Sequence, residues 1–337
     1  MAGIPEIDLG PLLHGGDPEA AIVGAAIDSA CKEMGFFYLV GHGLDPVLLN
    51  DLDLLARQFF ARPASEKSEI AMAHAGRAWR GWFPVGAELT SGIPDNKEGV
   101  YFGQERGPDD QRVRSGTPMH GANLFPTEPA ALRAVVLEYI EAMTRLAQRV
   151  LSGMAVGLGL RPSWFSENLT ADPLVLFRIF RYPPLASTDD AQQESALQEN
   201  WSVGEHTDYG LLTIVAQDDS GGLQVKGPQG WIDVPPRTGA FVCNLGDMLE
   251  RLTGGRYRST PHRVRNAGTG DRLSFPFFLD PSWDATVERL PIVERPSDER
   301  AANRWDHASV HGFEGTYGDY ILAKVGKVFP ELAAREI

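Results

Sequence analysis

From Pro173 onward the hydrophobic period of the chain shortens to two, and no other feature constrains the fold as tightly. The segments 174–182, 211–216, 223–225, 231–234, 240–244, 262–265 and 272–279 are short and rich in β-branched and aromatic residues. Gly, Pro, Asp and Asn turns separate them. Strands repeating at hairpin spacing predict a sandwich or jelly roll. Upstream the period is helical: Val23, Ile27, Ala30 and Met34 mark a helix over 18–34 that opens at Pro18 and stops at Gly35. A buried strand follows at 36–40, then a turn at 41–43 and a second helix. Asp45 caps that helix, and Leu48, Leu52, Leu55 and Phe59 form its apolar face. Residues 61–126 read as an irregular excursion whose aromatics, Trp79, Trp82, Phe83, Tyr101 and Phe102, pack down as a pocket wall. A long supporting helix spans 128–158, and a closing helix spans 317–328. The whole reads as mainly β with helical additions, in one compact body. It comprises an N-terminal α/β region (1–126), supporting helices (127–172), a jelly-roll core (173–281) and a C-terminal segment (282–337).

Of 337 residues, 43% are hydrophobic and 23% charged, which excludes a disordered chain. The 45 Asp and Glu exceed the 31 Lys and Arg, and a net charge of −14 repels a phosphate backbone. No nucleic-acid partner is expected. No apolar run approaches the ~18 residues of a membrane helix, and the opening residues lack a secretion signal. Both observations point to a cytoplasmic protein without a membrane partner. Cys31 and Cys243 read as reduced core thiols. A single β core under helical cover predicts a monomer.

Chemistry concentrates in two stretches. Gly204-Glu205-His206-Thr207-Asp208-Tyr209-Gly210 places an imidazole and a carboxylate two residues apart, hence on one face of an extended chain. His262, after a hairpin-rich interval, can supply a third ligand from a facing strand. Two imidazoles and one carboxylate make the facial triad of non-haem Fe(II) oxygenases, with open positions for a cosubstrate and O2. Ten residues on, Arg272 and Ser274 again share a strand face. A guanidinium fork fits a carboxylate, and an inward Arg without an anionic partner would be costly to bury. A dicarboxylate bridging the metal and Arg272 satisfies both.

These residues resemble the isopenicillin N synthase-like branch of the Fe(II)- and 2-oxoglutarate-dependent dioxygenases. The likeness runs over most of the chain. It includes Ile4-Pro5-Glu6-Ile7-Asp8-Leu9, the run from Glu33 to Gly43, and His206-Thr207-Asp208-Tyr209-Gly210. It continues through Asn244-Leu245-Gly246-Asp247-Met248, Thr253-Gly254-Gly255, Ser259-Thr260-Pro261-His262-Arg263-Val264 and Arg272-Leu273-Ser274. The resemblance implies a distorted double-stranded β-helix with His206, Asp208 and His262 as iron ligands. Arg272 and Ser274 would hold the distal carboxylate of 2-oxoglutarate, and Tyr182 would add a hydrogen bond. Phe180 departs from the pattern, standing where plant members commonly carry Asn, so a polar contact is lost or replaced there.

The implied activity hydroxylates, desaturates or cyclises a small organic molecule with release of succinate and CO2. Three alternatives share the scaffold: a 2-oxoglutarate-independent Fe(II) oxidase of the isopenicillin N synthase type, an ethylene-forming oxygenase, and a non-catalytic small-molecule binder. Arg178 shares a strand face with Tyr182. It is read as pointing to the cosubstrate, to an anionic substrate, or into a salt bridge beneath the pocket. Arg80, Trp82, Phe83 and Tyr101 are candidate lid or substrate-wall residues, though core packing is the leading reading of each. His307 and His311, four residues apart without a third ligand, read as surface residues.

Overall fold

The computed structural model describes residues 3–90, 92–184, 201–266, 268–292 and 312–329; His307 and His311 lie outside them. The strands are β1 (Glu6–Asp8), β2 (Phe36–Val40), β3 (Gly81–Phe83), β4 (Leu89–Thr90), β5 (Ile93–Pro94), β6 (Glu98–Gly103) and β7 (Pro173–Tyr182). After these come β8 (Val203–His206), β9 (Leu212–Gln217), β10 (Leu223–Gly227), β11 (Gly230–Asp233), β12 (Phe241–Leu245), β13 (His262–Val264) and β14 (Arg272–Ser282). The principal helices are α1 (Asp17–Glu33), α2 (Pro46–Phe60), α3 (Leu132–Gly157), α4 (Asp247–Leu252) and α5 (Tyr317–Val328).

A large sheet runs β1-β2-β12-β9-β14-β7-β6-β3 and a smaller one runs β11-β10-β13-β8. All pairings in the large sheet are antiparallel except β1 with β2. The result is a distorted jelly roll whose large sheet is extended at both edges by strands from the N-terminal region. That region is thus part of the core sheet. Beneath it, α3 buries Val136, Tyr139, Met143, Leu146 and Val150 and packs on α1 and α2. Gly35 ends α1 with φ +68°, and a Cβ there would lie 2.1 Å from the Arg258 carbonyl oxygen, so only glycine fits the turn into β2. A capping box between Thr316 and Asp319 starts α5.

The stretch 61–126 differs from the irregular excursion expected from its sequence, because β6 and β3 join the large sheet beside β7. Both are buried along their whole length, so they lack the alternation that marks a one-sided strand. Gly99 and Gly103 blur the signal further. At Gly99 a Cβ would meet the Phe180 ring at 2.6 Å. The short β1 and β8 are further strands that no sequence period announces, and α3 begins at Leu132, after Pro129.

Candidate active site

His206 ends β8 and His262 opens β13, and the two are direct partners across the antiparallel ladder. Cross-strand partners share a face at neighbour distance, and the ring centroids lie 4.2 Å apart. Each Nδ1 faces a backbone carbonyl two residues upstream, Gly204 at 2.8 Å and Thr260 at 3.3 Å. A carbonyl only accepts, so each Nδ1 carries the hydrogen and each Nε2 keeps its lone pair for a metal. Burial, reinforced by neighbouring His262, pushes the His206 imidazole well below its ordinary range and keeps it neutral.

Asp208 stands in the turn beyond β8, where its carbonyl accepts from the Asp247 amide at 2.7 Å. Its Oδ2 takes Thr213 Oγ1 at 2.5 Å and Asn244 Nδ2 at 2.6 Å. Thr213 and Asn244 are paired across β9 and β12, so both reach the same oxygen. Oδ1 is left 3.8 Å from His262 Nε2. Burial works to raise this carboxyl, but both histidines and the two donors hold it below its usual range. The ligand atoms of His206, Asp208 and His262 lie within 4.8 Å of one another, the one such group among the described residues. Gly210 lets the turn close: a Cβ there would fall 1.4 Å from Asp280 Oδ1.

A cavity of ≈ 140 Å³ opens from these three side chains between the two sheets. At one end Arg272, 1% exposed, pairs in register with Tyr182, and Ser274 shares its face of β14. Arg272 Nε donates to the Gly221 carbonyl at 2.6 Å and Nη2 to Gln217 Oε1 at 3.2 Å, while Nη1 is buried without a partner. The guanidinium lies 4.7 Å from the Tyr182 ring centre, and the Tyr182 hydroxyl is 3.2 Å from Ser274 Oγ. No carboxylate among the described residues bonds to Arg272. An orphaned buried donor beside two hydroxyls fits the distal carboxylate of a dicarboxylate, and the N,N,O donor set fits Fe(II).

The opposite wall carries polar groups that the sequence did not disclose. Lys97 Nζ lies 3.0 Å from Glu88 Oε2, 2.5 Å from Asp95 Oδ2 and 4.8 Å from the Phe180 ring centre, so a cation occupies the surroundings of the Asn-to-Phe departure. Tyr101 donates to Glu88 Oε1 at 2.6 Å. Arg178 does line the cavity. It rests against the rings of Tyr101 and Phe278, with Nη1 4.0 Å from Glu88.

Of the four wall candidates only Tyr101 reaches the cavity. Trp82 donates its indole N–H to Glu98 at 2.8 Å, and Phe83 packs behind Tyr101. Arg80 donates to the Met119 carbonyl at 2.9 Å. These three follow the core-packing reading: all are buried, and their contacts are with protein behind the cavity lining. Glu88 and Lys97 flank the β4–β5 hairpin in a stretch without periodicity; the only signal is charge set among aromatics.

Residues 4–128 match the family described as non-haem dioxygenase in morphine synthesis, N-terminal, and residues 173–281 match the 2OG-Fe(II) oxygenase superfamily. A probable iron/ascorbate oxidoreductase of Dictyostelium discoideum is 45% identical over 98% of this chain and 95% of its own. A 1-aminocyclopropane-1-carboxylate oxidase of Dictyostelium mucoroides is 37% identical, covering 92% and 90%. A homoarginine-6-hydroxylase of Glycine max is 36% identical, covering 98% and 99%. A full-length Neurospora crassa protein, solved in complex with alpha-KG and thymine, superposes with TM-score 0.77 at 25% identity over 98% of this chain and 96% of that one. The jelly roll and its His-Asp-His cluster therefore define a non-haem iron oxygenase. The chain belongs to the 2OG-Fe(II) oxygenase superfamily and is an enzyme of that dioxygenase type. No helix among the described residues is long and apolar enough to cross a membrane.

Proposed function

We propose that His206, Asp208 and His262 hold one Fe(II), that Arg272, Ser274 and Tyr182 anchor 2-oxoglutarate, and that the enzyme hydroxylates, desaturates or cyclises a small organic molecule. One observation carries the assignment: three neutral-or-anionic ligand atoms converge in the same cavity as a buried guanidinium with an unused donor. Iron, 2-oxoglutarate and O2 together supply the oxidising power, yielding succinate and CO2. The protein supplies orientation. The Gly204 and Thr260 carbonyls fix the histidine tautomers, Thr213 and Asn244 leave Asp208 a single free oxygen, and Arg272 fixes the far end of the cosubstrate. Phe36, Leu176, Phe180, Val264 and Phe329 line the same cavity and keep water from the reacting carbon.

Relatives at similar identity include an oxidase and a hydroxylase, which keeps the 2-oxoglutarate-independent reading as the rival. Incubation with Fe(II), 2-oxoglutarate and air separates them. Succinate release is expected, whereas oxygen uptake without succinate would overturn the assignment, and headspace ethylene would place the enzyme with the ethylene-forming oxygenases. The reading includes a cytoplasmic monomer. Its two cysteines, both buried and unbridged, suit a reducing compartment, and the oligomeric part is tested by sedimentation.

A further inference from the structure

The wall facing the metal cluster holds two cations and two anions with unequal commitments. Lys97 is engaged by Glu88, Asp95 and the Phe180 ring. Arg178 makes no hydrogen bond among the described residues. Its Nε is buried and unpartnered, its closest carboxylate is Glu88 at 4.0 Å, and its side chain is 19% exposed because it faces the cavity. Aromatic rings at 4.2 and 4.7 Å hold the guanidinium in place while its donors stay available. Glu88 Oε1 accepts from Tyr101, whereas Oε2 lies 3.0 Å from Lys97 Nζ as an ion pair yet accepts no hydrogen bond among the described residues, and a carboxylate has about four acceptor positions.

The wall thus has no net charge but presents a free donor fork and a part-used acceptor side by side. A ligand with a net charge would unbalance it. A neutral molecule carrying both signs matches it.

We propose that the prime substrate is a free amino acid whose carboxylate docks on Arg178 and whose ammonium group faces Glu88. This rests on the oxygenase reading above and adds the substrate class. Arg178 and Glu88 then orient the remainder of the substrate toward the metal cluster, so that side-chain size selects the oxidised carbon.

The test uses the Fe(II)-loaded enzyme with 2-oxoglutarate and a panel of L-amino acids, L-homoarginine and 1-aminocyclopropane-1-carboxylate, each with its methyl ester and N-acetyl derivative. Oxygen uptake reports substrate use whatever cosubstrate is consumed, and succinate reports 2-oxoglutarate. At least one free amino acid should stimulate both, with its ester and N-acetyl forms at least tenfold poorer. Basal succinate that no amino acid stimulates would overturn the substrate class while leaving the oxygenase assignment standing. Stimulated oxygen uptake without succinate would do the reverse, and silence in both channels would sink both.

Arg178→Gln should raise the half-saturating amino-acid concentration on the order of ten- to a hundredfold and erase the preference for free acid over ester. Glu88→Gln should instead erase the preference for free amine over N-acetyl. Arg178→Lys, which keeps the charge, should recover part of the loss if the Gln variant folds poorly. A rise confined to the half-saturating 2-oxoglutarate concentration would assign Arg178 to the cosubstrate and overturn the proposal.

Discussion

The two ends of the cavity handle buried charge in opposite ways. At the Arg272 end, one guanidinium is bonded to a carbonyl and an amide oxygen and meets no carboxylate among the described residues, so its charge is left for a ligand to neutralise. At the Lys97 end, the lysine is neutralised by Glu88 and Asp95 and serves the architecture of the wall. Burial alone therefore does not mark a functional cation. The set of partners does: a charge satisfied by protein stabilises the fold, and one left unsatisfied is held ready for a ligand.

Substitutions at the two ends should accordingly fail in different assays. The largest effect is expected at the metal. His206→Ala should abolish iron retention and coupled turnover while far-UV CD stays native; near-stoichiometric iron after desalting would break the assignment. Next, Lys97→Met strands two buried carboxylates and should cost roughly 3–5 kcal/mol of stability. Urea unfolding checks this, and an unchanged midpoint would remove the contrast. Arg272→Gln should raise the half-saturating 2-oxoglutarate concentration about a hundredfold and leave the melting temperature of the ligand-free chain nearly unchanged. Steady-state titration and a thermal melt read the two halves of that statement. Asn244→Ala leaves one acceptor position on Asp208 Oδ2 unfilled and should weaken iron binding about tenfold or more, measured by competition with a chelator. The smallest effect belongs to Trp82→Phe. It loses one of the bonds to Glu98, whose remaining partners are Lys67 and Arg181. About 1 kcal/mol of stability and no change in substrate half-saturation are expected.

The metal cluster is legible in the sequence because strand geometry translates directly into spacing. His206 and Asp208 at i and i+2, and Arg272 and Ser274 at i and i+2, need only a local extended chain to point together. The pairing of His262 with His206 then follows from the ladder. Even so, Asp208 lies past the end of β8, and a turn tied to Asp247 aims it. Glu88, Asp95 and Lys97 are illegible because long-range packing places them. The β4–β5 hairpin reaches the wall through contacts of β4 with β8 and α5 that no local periodicity encodes. Trp82, Phe83 and Arg80 fit the core packing that their sequence favours, whereas Tyr101 of the same stretch lines the cavity: an aromatic run shows that a segment packs inward but not which side of the sheet each ring covers. Long amphipathic segments are the easiest part, and α5 matches the expected closing helix from Tyr317 to Val328.

The lateral position of β2 governs how the polypeptide can mature. Phe36–Val40 is apolar throughout and hydrogen-bonds to Phe241–Leu245, roughly two hundred residues later in synthesis. At translation speeds of about 5–20 residues per second, that strand waits on the order of ten to forty seconds on the ribosome with one edge unpaired. During this interval it is open to aggregation or to capture by a chaperone. Emergence of β12 and β14, not of the N-terminal strands, is the moment at which the sheet can close.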